Sequence, residues 1–193
     1  LIQPVSILEL IEQGYLAPLR SKLTDMELST AGVKKRGGDY IAKELQDAVN
    51  TDEQNQAVVD EVIKLAGDRK TWLFFCAGVD HAAAVRDILR DRGITAECVT
   101  GDTPKAERAR ILDDLMHKRI QAVTNANVLT TGFDCPDIDL IAMLRPTESK
   151  SLYIQMAGRG MRLKSHTDHC LVLDFAGVVN RHGPVTSIDV ESG

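Results

Sequence analysis

From about residue 70 the chain alternates short apolar runs with segments of helical period. TWLFFCA (71–77) is a run of strand type, and HAAAVRDILRDRG (81–93) has its apolar residues at helical spacing and stops at Gly93. TAECVTG (95–101) reads as a second strand, and PKAERARILDDLMHKR (104–119) as a helix with Pro104 in its first turn, where its missing N–H costs nothing. IQAVTNANV (120–128) opens as a strand, PDIDLIAMLRP (136–146) holds the next between prolines, SLYIQMAGRGMRLK (151–164) reads as a helix capped by Ser151, and CLVLDFAG (170–177) is a final strand. Apolar strands alternating with helices predict an α/β fold, a parallel sheet with helices on both faces. Ligands of such sheets sit at the carboxyl ends of the strands. The loops after Ala77, Thr100, Thr124, Leu144 and Phe175 are therefore where a site is expected.

The first 70 residues follow a different pattern. SILELIEQGYLAPL (6–19) reads as a helix, then Gly14, then a short extended piece. TDMELSTAGVKKRGGD (24–39) has turn residues and charge but little to bury, and reads as an extended connector or arm. DYIAKELQDAVN (39–50) and TDEQNQAVVDEVIKLAG (51–67) read as two helices with caps at Asp39 and Thr51. The division this suggests is residues 1–69 as connector arm and leading helices, and 70–193 as the sheet domain.

Composition narrows the chemistry. With 44 % apolar residues the chain has an ordinary globular core, and a formal net charge of −5 rules out a general polycationic coat. Its basic clusters, KKR at 34–36, RDR at 90–92 and HKR at 117–119, read as solvated faces. The four cysteines, Cys76, Cys98, Cys135 and Cys170, match no zinc or redox spacing, and three of them sit in or beside apolar runs where a buried, reduced thiol is expected, as in a cytoplasmic protein. No signal peptide and no apolar stretch of membrane-spanning length is present in the sequence. The start at Leu1 suggests a piece of a longer protein.

The helix over 151–164 raises a chemical question. Gln155, Gly158, Arg159 and Arg162 fall at i, i+3, i+4 and i+7, so they share a face. Two guanidiniums side by side repel unless an anion or carboxylates lie between them. The chain has no GxxxxGK[ST] phosphate loop and no strand ending in an Asp-Glu pair, and Asp60-Glu61 lies within a helix. It cannot cradle a triphosphate alone, but an arginine from a second domain often completes such a site. Structural ion pairs remain the alternative role for both arginines. HTDHC (166–170) lacks the further ligands of a metal site, Cys170 and His169 point to opposite strand faces, His81 shows no partner, and Asp113-Asp114 is a helix-surface pair.

QMAGRGMR (155–162) resembles the Q-x-x-G-R-x-x-R motif VI of superfamily 2 helicases and translocases. NVLTTGFDCPDIDLI (127–141) resembles their motif V, TWLFFCAGVDHA (71–82) their motif IV, and VTGDTPKAERARIL (99–112) the segment between. These landmarks stand in the family's order and cover residues from about 70 to 176. ILELIEQGYLAPLR (7–20) and VLDFAGVVNRHGP (172–184) also resemble bacterial RadD-like repair helicases.

The resemblance implies a RecA-like C-terminal lobe that works against an N-terminal RecA-like lobe of the same polypeptide, which holds most of the ATP and Mg²⁺. It implies that Arg159 and Arg162 reach the γ-phosphate, Arg162 as arginine finger, with Gln155 ordering them and Gly158 beside them. Gly132 and Asp134 are expected near the ribose, and Thr100, Gly101, Asn127 and Thr130 on nucleic-acid phosphates, most consistent with DNA. The sequence departs from some relatives at Ala126, where they carry a nucleic-acid-binding Thr. The function implied is half of an ATP-dependent DNA helicase motor, inactive alone. A DNA-translocating restriction subunit and a non-catalytic interaction module are the other readings.

Overall fold

The computed structural model describes residues 5–6, 19–22, 27–129, 137–159, 170–177, 182 and 189–190. Its strands are β1 (Val5–Ser6), β2 (Leu19–Lys22), β3 (Lys35–Arg36), β4 (Asp39–Tyr40), β5 (Trp72–Phe75), β6 (Ala96–Val99), β7 (Ala122–Asn125), β8 (Leu140–Met143), β9 (Cys170–Asp174) and β10 (Asp189–Val190). Its helices are α1 (Ala42–Val49), α2 (Asp52–Ala66), α3 (Val79–Asp91), α4 (Lys105–Met116) and α5 (Lys150–Gly158). Six strands form one parallel sheet in the order β2-β9-β8-β5-β7-β6. The α/β, RecA-like architecture expected from the sequence is the one observed.

Strand alternation divides the core. Trp72 and Phe74 join Val58, Val62, Val85, Leu89, Leu140 and Leu173 on the face covered by α1, α2 and α3. Leu73 and Phe75 join Ile111, Leu115, Ile141, Tyr153, Met156 and Val172 on the face covered by α4 and α5. A strand buried on both faces needs no polar alternation, which is why WLFF lies wholly in the core. The buried Asp139 ties the amino ends of β5 and β8 together by accepting from the Lys70 and Thr71 amides at 3.1 and 3.0 Å.

Several boundaries differ from the sequence expectations. The cap of α5 is Ser149, whose hydroxyl accepts from the Leu152 amide at 3.2 Å, and Ser151 lies inside the helix. Asp39 caps nothing: α1 starts after Ile41, and Asp39 is bonded elsewhere. Thr51 caps α2 as expected, accepting from the Gln54 amide. Pro104 takes the N-cap position of α4, one residue before its first turn. The sixth strand, β2, was not legible as part of the sheet, because LRSK has little apolar character. The helix expected within 6–19 falls outside the described residues, apart from Ser6 in β1 and Leu19 in β2.

The arm before α1 is not an open connector over residues 27–40. β3 and β4 form a hairpin closed by Gly37 and Gly38, both at positive φ (63° and 87°), the geometry of a type I′ turn. Leu28 and Tyr40 are buried in the core, and the Leu28 amide donates to the Phe175 carbonyl at 2.8 Å. The arm thus lies over the carboxyl ends of β8 and β9.

Candidate functional site at the carboxyl edge

Asn125, at the end of β7, donates from Nδ2 to the Phe74 carbonyl at 2.9 Å, and its Oδ1 accepts from the Leu129 amide at 3.2 Å. This buried amide shapes the turn that carries Asn127, which is exposed and holds a left-handed φ of 62°. At the end of β6, the Thr103 hydroxyl accepts from the Thr100 amide, and the Thr100 hydroxyl from the Asp102 amide. Gly101 beyond it is exposed, and a Cβ there would meet nothing within 4 Å. Thr100, Gly101 and Asn127 therefore line the carboxyl ends of two neighbouring strands, as the sequence predicts. Thr130 lies outside the described residues, as do Gly132 and Asp134.

The turn after β5 is set by residues the sequence did not single out for this role. His81 is fully buried; its Nδ1 accepts from the Ala77 amide at 3.0 Å, and its Nε2 has no hydrogen-bond partner. Burial lowers its pKa to about 4, so the ring is neutral and accepts at Nδ1. Gln46 of α1 reaches across, its Oε1 accepting from the His81 amide at 3.0 Å, and so caps α3 from outside. Cys76 is buried, and burial, with the nearby Cys98 adding to it, raises its pKa well above the usual thiol range. It is a protonated core thiol and not a nucleophile.

Helix α5 carries the candidate arginine face. Gln155 and Arg159 lie one turn apart, with Arg159 Nε 3.5 Å from the Gln155 carbonyl and Gln155 Nε2 3.5 Å from the Ser151 hydroxyl. Both contacts are at the long end of hydrogen-bond geometry. Gly158 has open space where a Cβ would project. Arg162 lies outside the described residues.

The start of α5 is held by the arm. Asp39 Oδ2 accepts from the Thr147 hydroxyl at 2.6 Å, and its Oδ1 accepts from the Glu148 amide at 2.9 Å and the Tyr40 amide at 2.8 Å. The Tyr40 hydroxyl donates to Glu148 at 3.0 Å, and Lys35 Nζ pairs with the same carboxylate at 3.0 Å. Sequence reasoning missed this junction because its partners lie more than a hundred residues apart. A cavity of about 360 Å³ beside Arg90, Thr95, Glu97 and Ile120 opens at the opposite, amino end of β6, away from these groups. Among the described residues no helix is long and apolar enough to cross a membrane.

The comparisons with known proteins bear on the family and the fold of this lobe. The Saccharomyces cerevisiae protein IRC3, whose name places it among ATP-dependent helicases, is 32% identical over 173 residues, which are 89% of this chain and 25% of IRC3. The chain thus spans about a quarter of that relative. A fragment from Vibrio vulnificus YJ016, named as the HsdR subunit of a type I restriction enzyme, superposes with a TM-score of 0.70 at 22% identity, over 92% of this chain and 35% of that one. The C-terminal domain of the DEAD-box protein Dbp5 gives a TM-score of 0.60 at 16% identity, over 82% of this chain and 77% of its own. These two likenesses are of fold. The family described as "Helicase conserved C-terminal domain" matches residues 53–164, more than half of the chain. The chain belongs to that family, as the C-terminal lobe of a superfamily 2 helicase.

Proposed function

We propose that this chain is the second motor lobe of an ATP-dependent DNA helicase or translocase. The supporting observation is the helicase-family match over residues 53–164, which includes Gln155 and Arg159 one turn apart at the end of α5. Arg159 and Arg162 complete a nucleotide site formed mainly by the phosphate-loop lobe, Arg162 as the arginine finger and Gln155 ordering the pair. A planar, permanently charged guanidinium suits a γ-phosphate better than an ammonium. Gly158 leaves room for close approach, and Gly132 and Asp134 meet the ribose side. Among the described residues no three His, Cys, Asp or Glu side chains are gathered as metal ligands, and in this reading Mg²⁺ is held by the other lobe. Thr100, Gly101, Asn127 and Thr130 hold nucleic-acid phosphates through hydroxyls, amides and backbone N–H groups, which position the strand without reading its sequence.

The test is ATP turnover by the full-length protein with and without DNA. Arg162→Ala is expected to cut turnover by about 10³-fold or more, and Arg159→Ala to be severe. Nucleotide affinity should fall far less, because an interaction made mainly in the transition state appears in kcat. Arg162→Lys should not rescue. The isolated lobe should show no ATPase activity. Near-normal turnover per folded molecule, with a large loss of stability, would instead make both arginines structural ion pairs. The fold likeness to the restriction subunit supports a second reading, a translocase that does not separate strands. DNA-stimulated turnover without strand displacement would favour it.

A further inference from the structure

The three basic clusters of the sequence have different fates. In the 90–92 cluster Arg90 pairs with Glu97 and Arg92 with Asp60. In the 117–119 cluster His117 pairs with Asp113, Lys118 with Asp137, and Arg119 with both Asp113 and Asp114. Arg90, Arg92, Lys118 and Arg119 are thus already neutralised by neighbouring carboxylates. In the 34–36 cluster only Lys35 is paired, with Glu148. Lys34 and Arg36 are exposed and have no carboxylate partner among the described residues.

A third unpaired cation lies beside them. Arg145 follows β8, and the Leu144 amide before it donates to the Phe75 carbonyl at 2.9 Å, which fixes it at the carboxyl edge. It is partly buried, and its Nε is buried without a hydrogen-bond partner. A nearby negative charge, Asp39, partly offsets the desolvation of its guanidinium. That carboxylate accepts from Thr147, Glu148 and Tyr40, and among the described residues it makes no hydrogen bond to Arg145. Arg36 sits directly across the hairpin from Asp39, and alternation places Lys34 on the same face as Arg36. In a chain of net charge −5, three cations without partners are thus gathered where the arm crosses the end of β8.

We propose that Arg145, Lys34 and Arg36 form a phosphate-binding extension of the nucleic-acid track, continuing it past β5 over the ends of β8 and β9. This rests on the nucleic-acid reading of the preceding section. The track at Gly101 and Asn127 lies at the ends of β6 and β7, and β5 and β8 follow in the sheet order. Strands are about 4.8 Å apart, so β6 to β8 spans about 14 Å, and the arm lengthens the contact beyond it. Arg145, partly exposed where the arm crosses the end of β8, adds a guanidinium charge to the track. The two hairpin cations contribute charge without base readout. The hairpin is held rigidly to the lobe by Asp39 and Tyr40, so these charges need little ordering when the strand binds.

The experiment uses the full-length protein, a labelled oligothymidylate and a DNA duplex, with Kd measured across a salt series and KM for ATP measured at saturating DNA. The variants are Lys34→Gln/Arg36→Gln, on the exposed hairpin, and Arg145→Gln. Each lost contact should weaken binding about fivefold near 0.1 M salt. The double variant should reduce the log–log salt slope by about 1.4 for the single strand and about 1.8 for the duplex. KM for ATP and turnover at saturating DNA should not change. Unchanged Kd and slope in the hairpin variant, with wild type binding normally, would overturn the extension and leave the helicase reading standing. A raised KM for ATP with unchanged DNA affinity would assign Arg145 to nucleotide phosphate and also overturn it. Failure of the wild-type protein to bind either DNA would overturn both readings together.

Discussion

His81 gives a stability prediction that can be worked from its surroundings. The ring is fully buried, one nitrogen accepts a backbone N–H, and the other has no partner, so a proton on Nδ1 would break the Ala77 contact and leave a buried cation. Its pKa falls from 6.5 to about 4 for this reason. The sign follows from proton linkage. Between those values the unfolded chain binds the proton and the native protein does not, so stability rises with pH and is lost as pH falls below 6.5. The group costs almost nothing at pH 7, about 2 kcal/mol at pH 5 and about 3 kcal/mol at pH 4. The perturbation is His81→Asn, which keeps an acceptor near the Nδ1 position but cannot titrate. Urea denaturation of both proteins from pH 7 to pH 4.5 separates this group from the carboxylates, which titrate in both. The variant should be less stable at neutral pH because it leaves space, but it should lack the extra loss of about 2 kcal/mol between pH 7 and 5. Equal acid slopes in the two proteins, or an imidazole resonance titrating near pH 6.5, would refute the reasoning.

Two smaller tests address the supports of the site. Gly78→Ala should destabilise by about 1 kcal/mol, because the new Cβ would overlap the Gln46 side chain and displace its cap on the His81 amide; a thermal melt checks it, and an unchanged Tm in Gln46→Ala would show that the cap contributes nothing. Thr51→Ala removes the hydroxyl that accepts from the Gln54 amide at 3.2 Å, and chemical denaturation should show a loss of about 1 kcal/mol.

The regular part of the lobe was legible because each element carries its own period. The strand at 72–75 is apolar throughout, the helix at 79–91 keeps one face in the core, and the carboxyl-edge loops follow from that alternation. Local chemistry was less legible where two signals compete. Ser149 and Ser151 both stand before an apolar run, and only the backbone decides which hydroxyl meets an orphan amide. Asp39 looked like a cap because it precedes a helical pattern, but its true partners are Thr147 and Glu148, reached only when the chain returns. The same holds for Arg145: nothing in LRPT distinguishes a paired arginine from an unpaired one. Of the predicted arginine face, Gln155 and Arg159 are brought together on α5, while Arg162 lies beyond the described residues.

The pairing of β2 with β9 has a consequence for how the lobe is made. Leu19 lies opposite Cys170, a separation of 151 residues, whereas Trp72 and Ala122 of the central pair are 50 apart. Closing the longer loop costs about 1 kcal/mol more in chain entropy, before any contact offsets it. The edge strand should therefore be among the last parts to lock during refolding, and during synthesis it must wait until β9 has been made. Until β2 docks, the Cys170–Asp174 strand presents a free edge, buried on both faces but unpaired along one side. Such an edge is a template for another chain. A protein shortened past Lys22 would keep that edge open permanently, and its tendency to associate would reflect the missing strand and not a fault in the motor fold.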